Sequence, residues 1–162
     1  METARGDGVL HAYTVIEVPQ GHSALLRLLA QADREFLARY PELKGQRRDP
    51  LLPGIRFFLA CRGTVAAGCC ALQEGGVPSA RRSYELKRMF VLPEARGTGA
   101  ADALMISIET VALTVGAQLL CLETGLRQPE AIHVAHRHGY THIAPYPPYL
   151  EDPFAQCFAK NL

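Results

Sequence analysis

The stretch Leu92-Pro93-Glu94-Ala95-Arg96-Gly97-Thr98-Gly99-Ala100-Ala101-Asp102-Ala103-Leu104 constrains the fold more than any other segment of the chain. It follows Tyr84 to Val91, whose residues predict a strand, and runs into residues 99–115, where Leu104, Ile108, Val111 and Val115 fall at helical spacing. Strand, corner and helix are therefore consecutive. Gly97 and Gly99 let the backbone turn tightly and keep side chains out of the corner. A helix beginning there presents unpaired N–H groups and the positive end of its dipole. Arg96 adds a permanent cation with bidentate reach. Together these make an anion site suited to phosphate. A plain strand-to-helix turn, in which the glycines only relieve strain, fits the local spacing equally well. The common nucleotide loops fit poorly, because neither GxxxxGK[ST] nor GxGxxG with an acidic strand end at the right distance occurs.

The remaining punctuation predicts a mixed α/β chain of β-α-loop-β-β-β-α-β-α-β-β order. Ala12 to Val18 reads as a first strand, and Ser23 can cap a helix running to Arg39, which Pro41 ends. Ile55 to Cys61 and Thr64 to Leu72 are strands joined at Arg62-Gly63. Gln118 to Glu123 is a strand, Pro129 to His138 a short helix closed by Gly139, and Tyr140 to Pro145 and Gln156 to Lys160 are two last strands. Residues 41–54 form a long irregular segment of the kind that often carries function. With 162 residues and no internal boundary, residues 1–162 are expected to form one domain.

Composition excludes several classes of partner. A formal net charge of +1 gives no field for nucleic acid, and no apolar run approaches the ~18 residues that span a membrane. Residues 1–6 lack the apolar core of a secretory signal. The five cysteines are odd in number and show no CxxC spacing, which predicts reduced, buried thiols in a cytoplasmic protein, with Cys69 and Cys70 on opposite faces of a strand. His133, His136 and His138 invite a metal reading, but only positions three apart share a helix face and no matching Cys or Asp/Glu pair is near, so no metal is expected.

Arg96-x-x-Gly99-x-Ala101 resembles the R/Q-x-x-G-x-G/A signature of the GNAT superfamily of acetyl-CoA-dependent N-acetyltransferases. "YELKRMFVLPEARGTGAADALM" is similar to that family's strand, pyrophosphate loop and helix, and "LLCLETGLRQPEAIHVAHRHGYTHI" to its next strand and helix. The tail "PPYLEDPFAQCFAKNL" is similar to a group of small bacterial members, whereas the first third agrees only in element order. The resemblance implies a mostly antiparallel sheet of six or seven strands flanked by helices, and acetyl-CoA as donor. It implies that the backbone N–H groups of Gly97, Thr98, Gly99, Ala100 and Ala101 hold the pyrophosphate with Arg96 alongside. The segment Met89-Phe90-Val91 would meet the pantetheine arm, through the backbone of Met89 and Val91, in a gap where this strand splays from the next. The N–H of Met89 is then a candidate to polarise the thioester carbonyl.

Acetyl transfer to an amine needs a base, because most amines are protonated near neutral pH. The resemblance puts Glu85 where some members keep a catalytic glutamate, and Glu123 ends the neighbouring strand, where it could face the same gap. A solvated carboxylate, or a salt bridge to Lys87 or Arg88, is the alternative for each. The tyrosine with which the family often protonates the leaving thiolate is Ala135 here; a thiolate of pKa about 8.5 can leave without full protonation, and His136 or a water is the candidate substitute. The family's frequent asparagine on the arm is Gln128. For the acceptor, the tail offers Tyr146, Tyr149, Glu151 and Asp152, of which the two carboxylates could pair with a cation, while Arg47, Arg48 or Arg56 could bind a carboxylate. A small-molecule amine such as an amino acid fits the resemblance best; a protein or peptide amine and a non-catalytic acyl-CoA-binding domain are the other readings. Members of the family are often homodimers.

Overall fold

The computed structural model describes residues 12–46 and 51–162. Among the described residues seven strands and three α-helices follow one another as β1 (Thr14–Val18), α1 (Ser23–Arg39), β2 (Arg56–Arg62), β3 (Val65–Glu74), β4 (Ser83–Val91), α2 (Ala100–Thr114), β5 (Leu119–Gly125), α3 (Pro129–Arg137), β6 (Thr141–Ile143) and β7 (Ala155–Asn161). The strands form one sheet of order β1-β2-β3-β4-β5-β7-β6. Every neighbouring pair is antiparallel except β4–β5, which is parallel.

The period of two along the central strands sorts the core into two layers. Phe57, Leu59, Cys69 and Ala71 face α1, where Leu25 and Leu28 cover them. Phe58, Ala60, Cys70, Leu72, Leu86, Leu120 and Leu122 face α2, which contributes Ala103, Leu104, Met105, Ile108 and Ala112. Cys69 and Cys70 do lie on opposite faces. Each large apolar side chain so enclosed contributes about 1.5–3 kcal/mol of transfer free energy. A third, smaller cluster of Cys121, Tyr146, Cys157 and Ala159 lies under the tail loop between β6 and β7.

Local chemistry sets the helix ends. The N-cap of α1 is His22 rather than Ser23: the His22 ring Nδ1 accepts the Ala24 N–H at 3.3 Å, so Ser23 becomes the first helical residue. Pro41 disfavours helix at Tyr40, and α1 stops there with a last bond from Tyr40 N–H to Phe36 O. The end of α3 is a Schellman turn: Gly139, at φ +81°, lets Tyr140 N–H reach Ala135 O and its own N–H reach His136 O. The last two strands differ most from their expected lengths, since β6 keeps only three residues and β7 gains one at each end.

Two features of β4 shape what lies beyond it. Its parallel pairing with β5 runs only from Ser83–Leu119 to Leu86–Leu122 and then ceases, so the carboxyl ends of the two strands diverge. Its antiparallel pairing with β3 shifts register between Cys69 and Ala71, which sets both Arg88 and Met89 against Cys70. Arg88 makes this bulge in a left-handed conformation, φ +53°, a strain of about 1–3 kcal/mol for a residue with a Cβ.

Candidate active site

The divergence of β4 and β5 opens into a groove of about 1580 Å³, walled by α1, the start of α2, the start of α3 and the tail loop. That exceeds the ~300–1000 Å³ of an ordinary small-molecule pocket. Leu92 N–H bonds Ala67 O of β3, while Val91 O instead accepts the Arg96 Nε–H at 3.0 Å. By strand alternation the N–H and C=O groups of Val91 thus point away from β3, toward the gap; Met89, at the bulge, lies two residues before it. Phe90 between them packs under α1.

At the corner, Gly97 and Gly99 sit at φ +74° and +98°, conformations few side-chain-bearing residues adopt, and a Cβ at either would meet nothing within 4 Å. Gly99 is the N-cap of α2 and no side chain caps the helix, so its first N–H groups lack the usual partner. The Thr98 hydroxyl is turned inward, donating to Ala95 O at 2.6 Å and bonding Tyr13 Oη at 2.7 Å. Ala100 is buried as well. Thr98 and Ala100 therefore offer main chain rather than side chain. Asp102, in the first helical turn, is tied to Arg137 of α3 and to His138, the cap at its end. Arg96 is also committed on a second side: its Nη2 donates to Glu35 Oε2 of α1 at 2.7 Å. Glu35 in turn pairs with Arg39, and Arg39 with Glu130 at the start of α3. Nothing local in the sequence links Glu35 to the corner; its one signal was the i,i+4 pair with Arg39.

Glu85 lies at the inner end of the groove, 5 % exposed, on the last part of β4 that still pairs with β5. Its Oε1 accepts the Tyr146 hydroxyl at 3.1 Å and the Tyr149 hydroxyl at 2.8 Å, and its Oε2 is 3.7 Å from Lys87 Nζ. Burial above all, then Cys121 and Glu85 itself, push the Tyr146 phenol far above its ordinary range, so it stays a donor. Glu123, half-buried on β5, lines the same groove.

The other expected residues divide. Gln128 lines the groove, and its Oε1 accepts the Gly125 N–H at 3.0 Å, which leaves its amide N–H groups to offer a ligand. Ala135 lines the groove and is buried, so no phenol stands there. His136 is not brought to the groove; its exposed ring stands edge-on to Phe158, 5.2 Å between centroids, because that side of α3 covers β7. Arg56 is not open to a carboxylate ligand, since its guanidinium forks onto Glu17 at 2.8 and 2.7 Å. Arg47 and Arg48 lie outside the described residues. Among the described residues no group of three or more His, Cys, Asp or Glu could hold a metal, and no helix is long and apolar enough to cross a membrane.

A sheet that splays beside an uncapped, glycine-bounded helix start is the architecture of acyl-CoA-dependent transferases. Residues 24–140 match the acetyltransferase (GNAT) family, and the chain belongs to that family. It is 34% identical over 145 residues to the "IAA acetyltransferase" of Azospirillum brasilense, covering 86% of this chain and 91% of that protein. Among solved structures it is similar to a Klebsiella pneumoniae protein assigned to the acyl-CoA N-acyltransferases, with TM-score 0.74 and 26% identity over 93% of this chain and 97% of that one. It also shares its fold with a GNAT family acetyltransferase from Elizabethkingia anophelis with acetyl-CoA bound, at TM-score 0.64 and 17% identity over 93% and 99% of the two chains.

Proposed function

We propose that the protein is an N-acetyltransferase that moves the acetyl group of acetyl-CoA to a primary amine of a small molecule. The observation that carries this reading is Glu85, a buried carboxylate on β4 at the head of the splayed gap. A carboxylate enclosed where a ligand would lie is the group most suited to take a proton from an ammonium before it attacks, or from the amine as it attacks. Glu123, on the facing strand, is the second candidate for that work.

The residues of the groove fit the donor. The uncapped start of α2 and the open space over Gly97 and Gly99 suit a diphosphate, with Arg96 beside it and the N–H groups of residues 97–101 turned to it. Met89 and Val91 offer the main-chain groups that an amide-bearing arm would pair with, Phe90 fixes the strand between them, and the Gln128 amide adds a donor on the opposite wall. When bound, the thioester supplies an activated acetyl group and a thiol as leaving group. The Met89 N–H is the chain's candidate for holding the carbonyl oxygen. No tyrosine replaces Ala135, and none is required, since a thiol of pKa near 8.5 can depart unprotonated. His136 stands outside the groove and we assign it no role. On this reading residues 1–162 act as one domain in the cytoplasm.

The test is release of free thiol from acetyl-CoA over a panel of small amines, amino acids and peptides. With an accepted amine, Glu85→Gln lowers kcat/KM at neutral pH by roughly 10²-fold, and the defect narrows as pH rises because more amine is already neutral. Equal turnover by wild type and variant removes Glu85 from the chemistry. Acceptance of peptides alone moves the substrate class to protein amines. Tight CoA binding with no release from any amine favours a non-catalytic acyl-CoA-binding role, the reading that Ala135 supports.

A further inference from the structure

The tail between β6 and β7 enters the catalytic end of the groove through two phenols. Tyr146 and Tyr149 are three residues apart, their rings stand at 81° with centroids 5.4 Å apart, and both hydroxyls donate to one atom, Glu85 Oε1. The Tyr149 N–H is bonded to Tyr146 O at 2.7 Å, so the segment that carries the pair is itself a closed turn. Tyr146 is packed among Cys121, Cys157 and Ala159, which anchors one phenol to the sheet. Tyr149 is half-buried and lines the groove, and Lys87 Nζ lies 6.0 Å from the centre of its ring. Both donors fall on the same oxygen, and Oε2 is the one turned toward Lys87.

We infer that Tyr146 and Tyr149 are positioning residues for the reaction: together they fix the Glu85 carboxylate by its Oε1 and so determine which oxygen and which direction it presents to the acceptor. This rests on Glu85 being the base proposed above. Two donors on one oxygen restrict rotation of the carboxylate about its Cγ–Cδ bond. A misplacement of about 1 Å in such a group costs up to 10²-fold in rate. The tail loop thereby becomes part of the chemistry as well as a wall of the groove.

The test is a double-mutant cycle in which Tyr149→Phe and Tyr146→Phe are made in the wild-type and Glu85→Gln backgrounds, with kcat and KM measured for one accepted amine and CoA affinity by calorimetry. The expected result is a fall in kcat of about tenfold for Tyr149→Phe in wild type, less than twofold in the Glu85→Gln background, and unchanged CoA affinity. Tyr146→Phe gives the same pattern. Phenylalanine keeps the ring packing, and thermal unfolding of each variant separates a folding defect from a kinetic one. A loss of equal size in both backgrounds, or one confined to KM, overturns the inference while leaving acetyl transfer intact. Failure of the wild type to release thiol with any amine overturns both.

Discussion

Gly99 carries two requirements at one position. Its φ of +98° is hard for any side chain to adopt, and the space where a Cβ would point is open. A substitution there costs strain of about 1–2 kcal/mol but collides with no protein atom in the ligand-free fold. Gly99→Glu is therefore expected to fold and to lose CoA binding, because its side chain and charge would enter the anion site proposed above. Undiminished CoA affinity by calorimetry, in a variant with native circular dichroism, removes the corner from the cofactor site. The geometry of this corner was legible from the sequence because all its parts are contiguous: strand, two glycines, helix start, arginine. Glu85 was legible as a position on a strand. Its tyrosine partners were not, because they lie 61 and 64 residues away and no periodicity links a loop hydroxyl to a strand carboxylate. The commitment of Arg56 to Glu17 was hidden for the same reason: the pair forms only once β1 and β2 are side by side.

At the scale of elements, α1 is tied across the groove to the corner by Glu35 and to α3 by Arg39. Ion pairs this exposed are worth at most about 1 kcal/mol each, so their removal has little effect on stability. If Arg96 meets the diphosphate as proposed, their effect falls on the cofactor, because Glu35 occupies that guanidinium. Glu35→Gln is expected to raise CoA affinity several-fold while shifting the melting temperature by no more than a few degrees. Weaker CoA binding in that variant means instead that Glu35 holds Arg96 in its working position. The order and kind of all ten main elements could be read in advance, since hydrophobic period and Gly/Pro punctuation are local. The ends were less legible where a side chain made the cap, as with His22. The shortness of β6 was hidden too, because its pairing depends on β7, more than ten residues away.

Across the whole molecule, stability should be bounded on both sides of neutrality. Burial pushes the Cys69 thiol up to about 12 and Cys157 to about 11, and raises Cys70 and Cys121. Burial likewise raises the phenols of Tyr40, Tyr140 and Tyr146. These groups keep their protons when folded and lose them when unfolded, so their contribution is complete below the ordinary thiol value of 9.0 and is lost as pH climbs from there toward 12. On the acid side, the hydrogen bond from Arg56 lowers Glu17. For Asp102 and Glu130 burial opposes the shift, but bonds from His138 and Arg137 and from Arg39 outweigh it. That contribution is present above about 4.5 and fades as pH falls. Denaturant midpoints measured from pH 3 to 11 should form a plateau that falls at both ends, and unfolding above pH 9 should release protons; a flat alkaline limb contradicts the buried thiols. The splay between β4 and β5 carries a different kind of consequence. The donor wall, as proposed, is made of main-chain atoms at Met89 and Val91, and exchange of those side chains cannot remove them. The acceptor wall, on the same reading, is made of side chains in the loop between the edge strand β6 and its neighbour β7. Drift in the tail can therefore recruit a new acceptor while the donor stays the same, so one ancestral gap can give rise to many transferases.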